Sequence, residues 1–276
     1  MKNGNVLVSV LIPLYNSAKY IGKCIESVLS QSYSNIEIII VDDGSTDESV
    51  SICSKYSFVD ERIRLITQKR TGVVGARKKA VSIAKGQFVL CVDSDDYIDS
   101  DMISHLLDHA RKNNADVVCS GYIKEKDGIC FERENYAKTG VYYGKKLQDL
   151  YKVLLYSGEF YRPGVTPYVW NKLIKMDLYR KYQNLIPNEI NKGDDVAVIY
   201  PLLLNANCIV IDNEFKAYHY KKNKTSICHT KDDLYFERVQ ILFDYLDEMI
   251  NVECVKKQLK YYQLFSIKDG LRFLNQ

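Results

Sequence analysis

Two carboxylate clusters, Asp42-Asp43 and Asp93-Ser94-Asp95-Asp96, each follow a short apolar run and stand about fifty residues apart. Acids at the ends of expected strands lie where an open α/β sheet binds ligands, so the chain is expected to handle a nucleotide and a metal. Asp93 and Asp95 flank one residue in an extended turn. Two hard oxygen ligands so placed suit Mg²⁺ or Mn²⁺ shared with a diphosphate. Asp42 and Asp43 are candidates to accept hydrogen bonds from a base N–H or ribose hydroxyls, with Gly44 allowing close backbone approach; the alternative is that one aspartate only caps a helix. In Val8-Ser9-Val10-Leu11-Ile12-Pro13-Leu14-Tyr15-Asn16, a strand ends on a proline that donates no ladder bond, and Tyr15 is then available to lie against a planar base. Thr71-Gly72-Val73-Val74-Gly75-Ala76-Arg77 is a loop entering a helix, with Arg77 one turn in, facing the base or the phosphates of a ligand, or simply solvent. Lys69, Arg70, Lys78 and Lys79 make that neighbourhood basic. Later, Asp194-Asp195 precede an apolar helix as cap or as general base, and spacing leaves both readings open. His219, alone among tyrosines and lysines, is a structural residue or a late metal or phosphate ligand.

The elements that must position these groups follow from hydrophobic periodicity. Short β-branched runs predict strands near 6–12, 36–41, 62–66, 87–92 and 115–119, and amphipathic stretches predict helices near 18–31, 47–57, 75–85 and 101–112. That alternation implies a mostly parallel sheet with helices on both faces. Ser17 is expected to cap the first helix, and Ser45-Thr46-Asp47-Glu48 reads as a capping box opening the second, which places the Asp43 loop at a positive helix end. After Ser120 the pattern loosens: a hairpin around Lys126-Asp127-Gly128, a helix near 145–157, an irregular stretch over 160–170, helices near 193–206 and 232–250, then a Lys- and Tyr-rich segment. The expected organisation is a donor-binding half over 1–120, an acceptor and catalytic half over 121–230, and a helical segment over 231–276.

Composition narrows the classes. Of 276 residues, 46% are hydrophobic, enough for a sizeable core, and 38 basic against 35 acidic residues give a net charge of +3 that announces no nucleic-acid partner. Eight cysteines form no C-x-x-C pair, and Cys91 and Cys119 fall inside apolar runs; buried reduced thiols of a cytosolic protein are expected. The N-terminal run, interrupted by Pro13, is unlike a signal peptide. The longest apolar run, 196–211, contains Pro201, Asn205 and Asn207 and is too short to span a bilayer, so no transmembrane helix is expected.

With these residues in view, the chain resembles the family 2 inverting glycosyltransferases of the GT-A fold, particularly bacterial capsule, exopolysaccharide and lipopolysaccharide sugar transferases. The run from Val8 to Asn16 is similar to their V-S-V-I-I-P-x-Y-N, Val41 to Asp47 to V-D-D-G-S-T-D, and Val92 to Asp96 to their D-x-D segment. Similarity continues more weakly through Val169-Trp170-Asn171-Lys172-Leu173-Ile174, Asp194-Asp195 and Tyr220 to Ile227. The resemblance implies a doubly wound, mostly parallel α/β sheet with a mainly helical acceptor-side region. It further implies that Pro13, Tyr15, Asn16, Asp43, Arg77, Asp93, Ser94 and Asp95 form the donor site of a UDP-sugar: Asp43 on uracil, Tyr15 against the base with Arg77 assisting, and Asp93 and Asp95 on Mn²⁺ or Mg²⁺. Asp195 would be the base that deprotonates the acceptor hydroxyl for direct, inverting displacement. The acceptor would be a glycan or lipid-linked saccharide of cell-surface polysaccharide synthesis. Such an acceptor implies a cytoplasmic enzyme at the inner membrane face, touched by Lys256, Lys257, Lys260, Tyr261, Tyr262 and Phe265 unless that helix packs on the domain. The chain departs from the family in Lys78 (for Asn), Ser100 (for Pro) and Asp194 (for Glu).

Three other classes compete. A phospho-acceptor receiver module shares the paired acids but needs an acceptor aspartate after the third strand, where Gln68 and Lys69 stand. A nucleotidyltransferase needs a Gly-rich phosphate loop near the first strand, and none is present. A degenerate protein that binds nucleotide-sugar without turnover stays open because of Asp194.

Overall fold

A computed structural model describes residues 6–159, 162–222 and 234–274. Twelve strands are described: β1 (Val8–Leu14), β2 (Ile36–Asp42), β3 (Ile63–Thr67), β4 (Phe88–Cys91), β5 (Tyr97–Ile98), β6 (Val117–Ser120), β7 (Tyr122–Lys126), β8 (Ile129–Arg133), β9 (Gly140–Tyr143), β10 (Lys172–Lys175), β11 (Cys208–Asp212) and β12 (Tyr218–Lys221). The described helices are α1 (Ile21–Leu29), α2 (Ser49–Val59), α3 (Gly72–Ile83), α4 (Met102–Asn113), α5 (Lys146–Tyr151), α6 (Met176–Leu185), α7 (Asp194–Leu203), α8 (Tyr235–Met249) and α9 (Glu253–Leu274).

The main sheet runs β3-β2-β1-β4-β10-β6-β11-β9, parallel apart from β10 and the edge strand β9. It has the doubly wound α/β architecture that the alternating pattern predicts. Side-chain alternation in β1 explains the two covered faces. Val8, Val10 and Ile12 join the core beneath α1 and α4, while Leu11 joins the core beneath α3, α6 and α7. In α1 the buried residues Ile21, Cys24, Ile25 and Val28 repeat at helical spacing, which is why that segment docks as a helix on the strands. Pro13 sits in β1 opposite Val41, past Leu11, the last residue that β4 pairs with. Its missing N–H points toward the side that β4 has already left, so no ladder bond is lost.

A smaller sheet, β5-β12-β7-β8, contains the hairpin expected at 126–128. Six described elements escaped the sequence reading: β5 and β12 of the small sheet, β9, β10 and β11, which complete the main sheet, and α6. None of these strands is longer than five residues, and β10 carries a lysine at each end, so little alternation marks it. The C-terminal region is helical, as expected. Gln258 of α9 fastens it to the domain, accepting from the backbone N–H of Leu155 and Tyr156 and donating to Tyr151 and Cys254 carbonyls.

Ser17 does not cap the first helix, nor Ser45 the second. α1 begins after Tyr20 and α2 after Glu48, and neither of these residues caps with its side chain; at α2 it is Asp47 whose Oδ1 accepts from Ser49 N, at 3.0 Å. The hydroxyls are engaged elsewhere: Ser17 Oγ pairs with Ser94 Oγ, and Ser45 Oγ accepts from the Asn16 backbone. Cys24, Cys53, Cys91, Cys119 and Cys208 are buried free thiols, with Cys130 exposed. Cys228, the first five residues and the similarity over 223–227 lie outside the described residues. No described helix is long and apolar enough to cross a membrane.

Candidate active site

The loop after β1, the loop after β2 and the turn before α3 meet at one end of the sheet. Asn16, in the left-handed region at φ 47°, ties the first two: its Oδ1 accepts from Thr46 N at 2.8 Å and its N–H donates to Ser45 Oγ at 3.0 Å. Asp42 closes its own turn by accepting from the backbone N–H of Gly44 and Ser45. Gly44 has φ 81°, a conformation that glycine adopts freely.

Asp43 does different work. Its Oδ1 accepts from Gln68 Nε2 and Thr71 N, each at 2.8 Å, and from Thr71 Oγ1 at 3.1 Å; Oδ2 accepts from Gly72 N at 2.7 Å. The positive helix end it occupies is therefore that of α3, not of α2 as the capping box suggested. Oδ2, with a single donor, retains a lone pair for an incoming N–H. Tyr15 is half-buried beside this turn, and its ring is covered by Arg70, whose guanidinium carbon lies 3.9 Å from the ring centroid and whose Nη1 donates to the phenol oxygen at 2.6 Å.

Arg77, expected to assist at the base, is instead engaged with three carboxylates. Its Nη1 lies 2.5 Å from Asp194 Oδ2 and 2.8 Å from Asp195 Oδ1, and its Nη2 lies 3.4 Å from Asp93 Oδ1. The reason is where the helix puts it. Val74, Ala76, Arg77, Ala80 and Val81 form the buried face of α3, so the guanidinium enters the interior and must find counter-charges there. Its Nε has no hydrogen-bond partner. Arg77 and α7 thus bring the late Asp194-Asp195 pair onto the Asp93 motif. Gly193, at φ 74°, makes the entry to α7 possible; a Cβ there would stand 2.5 Å from Leu242 of α8.

Burial pushes the Asp195 carboxyl up, Arg77 pulls it down, and Asp194 and Asp93 push it up again, leaving it at about 7. Asp93 is raised to about 6, first by burial, with Arg77 opposing and Asp95 and Asp194 adding to the rise. The Arg77 guanidinium contacts Asp93, Asp194 and Asp195, and Asp95 stands close enough to Asp93 to add to its rise. Hard oxygen donors gathered in this way fit a divalent cation.

Other expected residues are placed differently. Ser94, expected in the donor site, turns its hydroxyl inward to Ser17 at 2.7 Å and is buried. His219 belongs to the small sheet: its ring nitrogens lie 3.0 Å from Asp99 and 3.2 Å from Glu125, and it stacks on Tyr97. Asp96 is a brace, accepting from Tyr218 Oη at 2.8 Å and Lys221 N at 2.8 Å, while Tyr218 Oη also accepts from Asp93 N. The sequence reading missed the Asp43 clamp by Gln68 and Thr71, the cover over Tyr15 by Arg70, and the buried Lys172. Lys172 Nζ donates to the carbonyls of Thr166 and Tyr168 and to Asn171 Oδ1, and burial lowers it to about 8. A legible signal existed for Arg77: an arginine at a core position of an apolar helical repeat.

A family model described as Glycosyl transferase family 2 matches residues 9–182. Glycosyltransferase GlyG of Streptococcus pneumoniae serotype 4 is 33% identical over 242 residues, covering 84% of this chain and 76% of GlyG. GlyA of the same organism is 30% identical over 245 residues, covering 85% of this chain, which spans 34% of that longer protein. Among solved structures, S. aureus TarS 1–349 superposes with a TM-score of 0.73 at 22% identity, covering 95% of this chain and 73% of that one; TarS is also known in complex with UDP and with UDP-GlcNAc. The mannosyltransferase PcManGT of Pyrobaculum calidifontis, in complex with GDP-Man and Mn²⁺, superposes with a TM-score of 0.61 at 16% identity, covering 97% of this chain and 74% of that one.

Proposed function

The chain belongs to glycosyltransferase family 2, and from that premise we propose that it moves a sugar from a UDP-sugar to a saccharide or lipid-linked saccharide acceptor, inverting the anomeric centre, in cell-surface polysaccharide synthesis. The observation that carries this reading is the Arg77 bridge, which sets the Asp194-Asp195 pair against Asp93. Asp43 Oδ2 accepts from the base, Tyr15 offers a ring to stack on it, and Pro13 and Asn16 shape the loop between them. Asp93 and Asp95 would hold Mn²⁺ or Mg²⁺, which when bound supplies charge neutralisation for the diphosphate.

Asp195 is the general base. Raised to about 7, it is poised to take the acceptor proton near neutral pH. As the acceptor oxygen attacks, its O–H proton passes to the Asp195 carboxylate, the new C–O bond forms, and the bond to UDP breaks with its electron pair leaving on the diphosphate. Arg77 fixes the carboxylate in place and keeps it ionised more readily than burial alone would allow.

The proposed setting is cytoplasmic, with peripheral contact at the inner membrane face. In support, α9 buries Val255 and Leu259 on the domain and leaves Tyr261, Leu264, Ile267 and Leu271 exposed along its length. The first experiment is calorimetric titration with UDP and with GDP, each with and without Mn²⁺, repeated on Asp95→Ala. Metal-dependent UDP binding lost in that variant supports the donor site, and UDP release from a UDP-sugar supports turnover. Binding without turnover selects the degenerate reading that Asp194 leaves open, and no nucleotide binding under any condition sinks the assignment.

A further inference from the structure

We propose that His105, His109 and Asp212 form a second metal site, for a divalent transition ion of the Zn²⁺ class, separate from the acid cluster. His105 and His109 lie four residues apart on α4, so their rings project from one face of the helix, a spacing suited to holding one ion between two imidazoles. Asp212 ends β11 and faces them: its Oδ2 lies 2.8 Å from His105 Nε2 and 3.6 Å from His109 Nε2. The three ligand atoms all lie within 4.8 Å of one another. Bonds of about 2.0–2.1 Å in a tetrahedral site hold ligand atoms roughly 3.3 Å apart, so only small side-chain shifts are needed.

The ligands are already oriented. Asp212 Oδ1 is held by the backbone N–H of Glu214 and Phe215, which leaves Oδ2 for the imidazoles. The His105 ring lies flat on Phe215, with centroids 3.7 Å apart and planes 8° apart. Such fixing by neighbours outside the ligand set is what metal-binding groups require. Both histidine side chains are about one-third exposed, at 33% and 35%, which leaves room for water as a fourth ligand. Two imidazoles and one carboxylate favour Zn²⁺, Co²⁺ or Ni²⁺ over Mg²⁺. Binding requires the proton that His105 shares with Asp212 to move to Nδ1, so that Nε2 is free to ligate. β11 is three strands from β4 in the sheet, roughly 14 Å at the usual strand spacing, so this site is distinct from Asp93 and Asp95. An ion there would clamp α4 to β11.

The test is a spectrophotometric titration of the chelator-treated full chain with Co²⁺, with Mg²⁺ in excess to occupy hard-oxygen sites. The expected result is one equivalent of Co²⁺ giving the visible bands of a four-coordinate site, displaced by Zn²⁺. His109→Ala spares the shorter His105–Asp212 bond and is expected to keep the circular dichroism and melting temperature of the metal-free protein while weakening Co²⁺ binding roughly 100-fold or more. Asp95→Ala is expected to keep the Co²⁺ spectrum. Absence of the bands in the parent protein, or an unchanged spectrum in His109→Ala, overturns the proposal.

Discussion

Asp195 meets Arg77 across 118 positions of sequence, with Oδ1 accepting from Nη1 at 2.8 Å, and the neighbouring Asp194 accepts from that same nitrogen at 2.5 Å. One guanidinium therefore joins the acids of the first half of the chain to those of the second. Most of what can be tested follows from that bridge.

Replacing Arg77 by methionine strands Asp93, Asp194 and Asp195 without their cation. Breaking a buried pair from one side costs about 3–5 kcal/mol, and the lower end is expected here because the carboxylates keep some solvent contact. Thermal melts of Arg77→Met and Arg77→Lys should rank parent, then Lys, then Met. Equal melting of all three would remove Arg77 from the structural account.

Asp195→Asn keeps the shape and removes the proposed base. Turnover should fall roughly 10²- to 10⁴-fold while UDP affinity changes little. In the parent enzyme, turnover should decline as pH drops through about 7, because the protonated carboxyl takes no proton. A coupled assay of UDP release across pH 5.5–8.5 (about the span in which such a base titrates) reads both effects; a flat profile would point to a different base.

Stability should respond to pH in the opposite sense. Asp195 is raised from 3.8 to about 7 and Asp93 to about 6, so the folded protein binds these protons more tightly than the unfolded chain does. Their stabilising contribution is full below the unfolded value near 3.8 and is lost as pH rises through 6 to 7. Asp195→Asn should therefore melt above the parent at pH 8 by on the order of 1 kcal/mol, and the gap should close at about pH 5. Denaturant melts at the two pH values decide it.

Gly193→Ala tests the entry to α7. The substitution forces a side chain into φ 74° and against Leu242, so a loss of about 1–3 kcal/mol is expected. Because Asp194 and Asp195 follow directly, turnover should fall by more than the lost folded fraction explains. Pairing Gly193→Ala with Leu242→Ala removes the contact but not the backbone strain, and partial recovery of stability would separate the two.

The first 120 residues were legible from the sequence because their information is local. β2 and β4 are short, mostly apolar runs, and the acids that follow them sit within a few residues of the last buried side chain, so pattern and chemistry are read together. The segment after Ser120 gave up less. β10 is four residues with a lysine at each end, and only its insertion between β4 and β6 defines it as a strand. Asp43 was legible as an acid at a turn, yet which helix it would serve depended on the fold of residues 68–72.

By itself, then, the sequence determined the doubly wound sheet and the carboxylate motifs at its strand ends, since side-chain period and short-range turn chemistry act over a few residues. The tertiary structure alone decided that Arg77 enters the interior, that Asp194 and Asp195 meet it there, and that Asp43 caps α3. Those contacts depend on how α3 and α7 pack together, and a buried charge settles on whichever counter-charges that packing brings within reach.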